Sequence, residues 1–192
     1  MIAGVDEVGR GCLSGPVLSA AVIFNKKIDI SNIKDSKMMS SDMRKKIFKY
    51  LIKNSIYAVG TASVKEIEKI NILNASLLAM ERAIYKLKIK PRLVLIDGIY
   101  APKNLKFKSK TIINGDEKIP IISAASIIAK VTRDNFMIKL SKNYPGYDWK
   151  NNFGYGTSRH LKALKKYGVT KHHRKKFKPV YNILFPKKRE TQ

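Results

Sequence analysis

Gly4-Val5-Asp6-Glu7-Val8-Gly9-Arg10-Gly11 sets two adjacent carboxylates at the end of an apolar run and follows them with glycines around an arginine. Residues 2–8 read as a buried strand and 17–24 as a second. The glycine-rich turn Gly9–Pro16 joins them into a hairpin or meander. These acids stand in a chain with 39 Lys and Arg against 14 Asp and Glu, a formal net charge of +25. Adjacent carboxylates repel, so a pair kept at a strand end needs a positive partner, and a divalent cation is the natural one. A basic chain with clustered acids reads as a metal-dependent enzyme acting on a phosphate polymer.

At 192 residues and 44% hydrophobic composition the chain can bury one sizeable core. Its single cysteine, Cys12, excludes an internal disulfide framework and suits a reducing compartment. Asp6 and Glu7 occupy the place where a signal peptide would need a basic and then apolar segment. The apolar stretch Val17 to Phe24 is too short to span a bilayer. The expectation is a soluble, cytoplasmic monomer with no membrane partner.

Further along, Ser40-Ser41-Asp42 predicts a helix cap before Arg44–Ile52, whose apolar residues recur at helical spacing. Ser55 to Ser63 reads as a third strand. Asn74 is the predicted N-cap of a helix to about Lys88, closed by Pro91. Leu93-Val94-Leu95-Ile96 is an interior strand ending in Asp97-Gly98. Thr111-Ile112-Ile113 is a weaker copy ending in Asn114-Gly115-Asp116. Pro120 suits the first turn of a helix through about Leu140, and Thr157 caps another that runs to Tyr167. A meander followed by alternating strands and helices predicts an α/β fold, a mixed sheet with helices on its faces. From Trp149 to Arg189 there is no acid against thirteen Lys or Arg, with Tyr155, Tyr167, Phe177 and Tyr181 interleaved. That composition predicts a folded basic surface for a polyanion. The division expected is a catalytic part over 1–145 and a basic helical part over 146–192.

Asp97 and Asp116 each follow a strand, and such ends open into the crevice where α/β sheets bind ligands. With Asp6 and Glu7 they form a four-carboxylate candidate site. Hard oxygen donors favour Mg²⁺ or Mn²⁺, and no Cys/His spacing suggests zinc. Asp6 and Glu7 should point to opposite faces of a regular strand, so both reach one site only at the strand's end. Gly9-Arg10-Gly11 would let a backbone approach a sugar–phosphate chain closely, and Lys37 is a candidate phosphate contact. His160, His172 and His173 read as surface hydrogen-bonders rather than ligands.

The opening stretch with Ser14-Gly15-Pro16, Asp35-Ser36-Lys37, Ile72 to Met80, Ile96-Asp97-Gly98, Gly115-Asp116, Ile122 to Asp134, Gly154-Tyr155-Gly156-Thr157 and His173-Arg174, in that order, form a pattern that resembles the ribonuclease HII family. The resemblance covers about residues 2–182. It implies a ribonuclease H-like mixed five-stranded sheet flanked by helices, with a small helical C-terminal part. It also implies that Asp6, Glu7, Asp97 and Asp116 are the catalytic acids, that Gly9-Arg10-Gly11 and Tyr155 sense a ribose 2′-hydroxyl, and that Asp134 is structural. Asn152-Phe153 and Lys176 depart from the family's usual residues. The implied activity is hydrolysis of the RNA strand of RNA–DNA hybrids, and nicking of duplex DNA at embedded ribonucleotides, by a two-metal mechanism leaving 5′-phosphate and 3′-hydroxyl ends. The alternatives are a ribonuclease-H-like DNA nuclease or resolvase, and a non-catalytic nucleic-acid-binding module.

Overall fold

Five strands form one mixed sheet in the order β3-β2-β1-β4-β5 in the computed structural model, which describes residues 1–25, 28–31, 33 and 39–186. Lys37 lies outside the described residues. The strands are β1 (Ile2–Val8), β2 (Val17–Phe24), β3 (Ser55–Ala62), β4 (Leu93–Asp97) and β5 (Lys108–Ile112). The first three form the antiparallel meander, while β4 runs parallel to β1 and β5 parallel to β4. β5 starts earlier than the apolar pattern suggests. It is an edge strand whose lysines Lys108 and Lys110 stay exposed, so its polar half carries no hydrophobic signature.

Helix α1 (Ser41–Asn54) starts where Ser40 accepts a hydrogen bond from the Met43 amide. Helix α2 (Val64–Tyr85) corrects the expectation for Asn74. Its N-cap is Ser63, eleven residues earlier, in a capping box with Glu66, and the helix kinks at Asn71, whose φ is +65°. The Asn71 side chain accepts from the Asn74 amide, so Asn71 caps the second half and Asn74 lies inside it. Helices α4 (Pro120–Ser141) and α6 (Ser158–Tyr167) follow Pro120 and Thr157 as the sequence predicts. Three short helices were not legible: α3 (Gly115–Lys118), α5 (Trp149–Asn152) and α7 (Lys178–Leu184).

The alternation along β1 distributes its side chains. Ala3 and Val5 join Ala21, Ile23, Val94 and Ile96 under α2, while Leu18, Ala20 and Val22 face α1 and α4 on the other side. Gly4 is where α4 crosses the sheet. A Cβ there would lie 2.3 Å from the Ile121 carbonyl oxygen, so only glycine lets the helix start come this close. The residues after 145 wrap a separate cluster of Tyr147, Trp149, Ala163, Leu164 and Val180. Leu13 and Met137 belong to the same cluster and join it to the sheet and α4.

Candidate active site

Val5 pairs with Ile96 at the last register step between the parallel strands β1 and β4, and Asp6 and Asp97 are the next residues on each. They therefore stand side by side on one face, on strands about 4.8 Å apart. Asp6 is 4% exposed, its side chain bonded to the Ser126 hydroxyl of α4 and to the Glu7 amide at 2.7 Å. Burial, then the charges of Glu7 and Asp97, hold its carboxyl well above the usual carboxylate range. Asp97 Oδ1 accepts from the amides of Gly115 at 2.7 Å and Asp116 at 3.3 Å. This bond ties the strand end to the first turn of α3. Ser123 of α4 donates to the Asp116 carbonyl, fixing the buried Asp116 from the other side.

Glu7 follows the alternation and points to the opposite face from Asp6, towards α2, where it lines a second cavity with Leu77 and Met80. It still reaches the Asp6 side because the strand ends one residue later, at Val8. Burial raises its pKa despite the Arg10 guanidinium, 3.2 Å from Oε1. Its other oxygen, Oε2, is buried without a hydrogen-bond partner. A cavity of about 340 Å³ is bordered by all four acids, by Gly9, Arg10 and Gly11, and by Tyr155. Every candidate residue within the described part of the chain thus meets at one place.

Tyr155 arrives on a tight turn. Phe153 takes a left-handed φ of +49° and Gly154 one of +87°. The Asn152 side chain accepts from the Gly154 amide at 2.8 Å while its own amide donates to the Tyr147 carbonyl. The departure at Asn152 therefore serves as the turn's internal brace. The Tyr155 hydroxyl lies beside the buried Cys12 thiol, and the residue remains 38% exposed. Its pKa is pushed up to about 12, first by burial and then by Cys12. Burial also raises the Cys12 thiol, outweighing Arg133 and Arg174 beside it, which leaves it a poor nucleophile. Lys176, the other departure, donates to the Glu68 carbonyl at 2.7 Å on the surface.

Two histidines correct the sequence reading. His160 and His173 are fully buried, with ring nitrogens 3.0 Å apart. The Thr170 amide donates to His173 Nδ1, so His173 donates through Nε2 to His160 Nε2, which also receives the Trp149 indole N–H at 3.0 Å. His160 Nδ1 then donates to the Tyr155 carbonyl at 2.8 Å. Burial drives both pKa values down, that of His173 to about 3. Nothing in the spacing of these histidines betrays the pair, because it suits a surface histidine as well as a core one.

Sequence reasoning also passed over Ser126, Lys130 and Arg44, which border the same cavity. Lys130 bonds Asp134 at 3.0 Å and lies 4.9 Å and 5.5 Å from the ring centres of Phe153 and Tyr155. Ser123, Ser126, Lys130 and Arg133 recur at spacings of three and four along an apolar helix. That polar stripe is the signal that would have found Ser126 and Lys130, whereas Arg44 stands on α1 with no such pattern.

Among the described residues no three acids already stand in metal-holding geometry. Asp97 and Glu7 each have an oxygen engaged by a protein donor. The donor set nonetheless fits a hard divalent ion: oxygen only, crowded, and with one buried oxygen lacking a partner.

A mixed five-stranded sheet carrying acids at the ends of its central parallel strands, under a basic helical part, defines a nuclease of the ribonuclease H-like class. The family model described as Ribonuclease HII matches residues 3–180. Ribonuclease HII of Pelagibacter ubique (strain HTCC1062) is 61% identical over 184 residues, which is 96% of this chain and 99% of that protein. The crystal structure of the ribonuclease H2 from Pyrococcus horikoshii OT3 superposes with a TM-score of 0.77 at 31% identity, covering 95% of this chain and 96% of that one. Bst ribonuclease HIII in complex with Mn²⁺ shares the fold, with a TM-score of 0.79 at 17% identity over 95% of this chain and 68% of its own. The chain belongs to the ribonuclease HII family, and is a metal-dependent endoribonuclease that cleaves RNA in RNA–DNA hybrids.

Proposed function

We propose that this chain both degrades the RNA strand of hybrids and incises duplex DNA at embedded ribonucleotides. Asp6, Glu7, Asp97 and Asp116 would hold Mg²⁺ or Mn²⁺ there. The observation that carries the reading is the meeting of four acids, the Gly9–Gly11 turn and Tyr155 around one cavity. When bound, divalent ions supply an activated water and the charge that a departing 3′-oxygen requires, so no protein nucleophile is needed and the ends are 5′-phosphate and 3′-hydroxyl. Asp6 and Asp97 stand ready on adjacent strands, and Asp116 is braced by Asp97 and Ser123. The Gly9–Gly11 turn borders the same cavity, where a ribose 2′-hydroxyl would lie. Tyr155 offers an exposed ring for stacking, worth about 1–3 kcal/mol per base.

The basic helical part, taken as 146–192, supports the duplex. Arg159, Lys162 and Lys166 lie along one exposed face of α6, and salt should weaken binding accordingly. Monomeric action in the cytoplasm is part of the proposal, in keeping with the single, buried Cys12 thiol. Among the described residues no helix is long and apolar enough to cross a membrane.

The test is metal-dependent nicking of a duplex with one ribonucleotide, compared with a long hybrid. Tyr155→Ala should cripple the first more than the second, because a long hybrid offers the 2′-hydroxyl in many registers. Tyr155→Phe, which keeps the ring, should fall between. Equal loss on both substrates with a lowered melting temperature would return Tyr155 to a packing role. Cleavage that ignores the 2′-hydroxyl would favour a DNA nuclease or resolvase, and binding without cleavage would favour a non-catalytic module.

A further inference from the structure

Two arginines are buried to 0% exposure, and among the described residues neither is ion-paired to a carboxylate. An isolated buried charge is costly unless every donor finds an acceptor. Here the acceptors are backbone carbonyls, nearly all from one loop. Arg174 donates from Nη2 to Gly9 at 2.7 Å and to Gly15 at 2.9 Å. It also donates from Nη1 to Arg10 at 2.8 Å and from Nε to Gly15 at 3.1 Å. Arg133 of α4 donates to Pro16 at 3.0 Å, Ser14 at 3.0 Å and Phe153 at 2.9 Å. It also packs under the turn, where a Cβ on Gly9 would lie 2.2 Å from its Nε.

In a trans peptide the carbonyl and the following N–H point in opposite directions. With the Gly9 and Arg10 carbonyls drawn inward to Arg174, the amides of Arg10 and Gly11 must point outward. Both residues are exposed at the cavity, and neither amide donates to another described residue. Two adjacent outward N–H groups backed by a buried cation make a concave donor site suited to a hydroxyl or phosphate oxygen. Arg133 adds a second effect. By holding Phe153 together with Ser14 and Pro16, it ties the turn that carries Tyr155 to the same loop.

We infer that Arg174, backed by Arg133, is the positioning residue for ribonucleotide recognition: it aims the Arg10 and Gly11 amides at the substrate and keeps them in register with Tyr155. This inference rests on the reading of the Gly9–Gly11 turn as a 2′-hydroxyl sensor. Neither arginine touches substrate, and each acts through the backbone. A lysine at 174 would keep the charge but lose the fan of donors that grips three carbonyls, so charge and aim are separable.

The experiment compares a duplex containing one ribonucleotide with its all-deoxy counterpart, measured by anisotropy with Ca²⁺ in place of the catalytic ion. The wild-type protein should bind the ribonucleotide duplex more tightly. Arg174→Lys should narrow that ratio about tenfold, the loss of one well-aimed hydrogen bond, while all-deoxy affinity holds and the melting temperature falls by a few degrees as buried carbonyls lose their donors. An unchanged ratio in a folded Arg174→Lys protein, or an equal loss on both duplexes, overturns the inference. A wild-type protein with no preference sinks the underlying sensor reading instead. A second measurement needs no variant: hydrogen exchange of the Arg10 and Gly11 amides. The ribonucleotide duplex should slow it more than the all-deoxy duplex, and equal protection by the two duplexes overturns the inference even if the Arg174 variants fail to fold.

Discussion

Replacing Asp6 with Asn should abolish cleavage and, in the absence of metal, make the protein more stable. Asp6 is buried beside Asp97 and next to Glu7, and its carboxyl is held well above the usual range by burial and then by those two charges. Asparagine keeps an oxygen for the Glu7 amide and removes the charge. Relief of one poorly compensated buried charge is worth about 1–3 kcal/mol. For a chain of this size each kcal/mol raises the melting temperature by about 2–4 °C. The gain should grow with pH. The folded protein holds the Asp6 proton more tightly than the unfolded chain does. The associated stability is complete below the unfolded carboxylate range and is lost as pH rises through the raised folded value. Melting curves in EDTA at pH 5 and pH 8, for wild type and Asp6→Asn, measure this directly. Adding Mn²⁺ should stabilise the wild type, by about 2.7 kcal/mol at a hundred times the dissociation constant, and the variant much less. Cleavage of a long hybrid should fall by about three orders of magnitude. A variant that melts below wild type in EDTA, or that keeps the full Mn²⁺ shift, would refute the assignment of Asp6 as a crowded metal ligand.

The buried imidazole pair predicts an acid limit. His173 is held down to about 3, and His160 below its usual value, so the unfolded chain takes up their protons first. Their contribution to stability is complete above about pH 6.5 and drains away as pH falls towards 3. His173→Gln should show a shallower fall in melting temperature between pH 7 and 4.5, and an identical slope would count against the pair. Gly4→Ala, which forces a Cβ against the Ile121 carbonyl, should cost about 2–4 kcal/mol in urea unfolding. A neutral result there would mean the start of α4 can retreat from the sheet.

The strand-end acids were legible because an apolar run that stops at Asp97-Gly98 has few other meanings. The opening carboxylates stood out against a basic chain for the same reason. The divergence of Asp6 and Glu7 was legible too, since strand alternation is strict. Arg133 and Arg174 were not, because a guanidinium satisfied by carbonyls leaves no partner residue in the sequence to betray it. The start expected at Asn74 missed the half of α2 before the kink, because a residue of cap type inside a kinked helix looks like a helix start on paper. The backbone conformation at Asn71 places the kink.

The bonds from Arg174 to the Gly9 and Arg10 carbonyls join residues 165 and 164 positions apart. Contacts so distant in the chain form late, after the loop-closure entropy between them has been overcome. During synthesis the N-terminal hairpin leaves the ribosome early, but its turn waits for a residue translated near the end. Until then the acids can gather on the sheet while the turn beside them lacks its shape. A nascent or prematurely terminated chain would thus hold the strand-end acids before the turn that borders them has taken its shape.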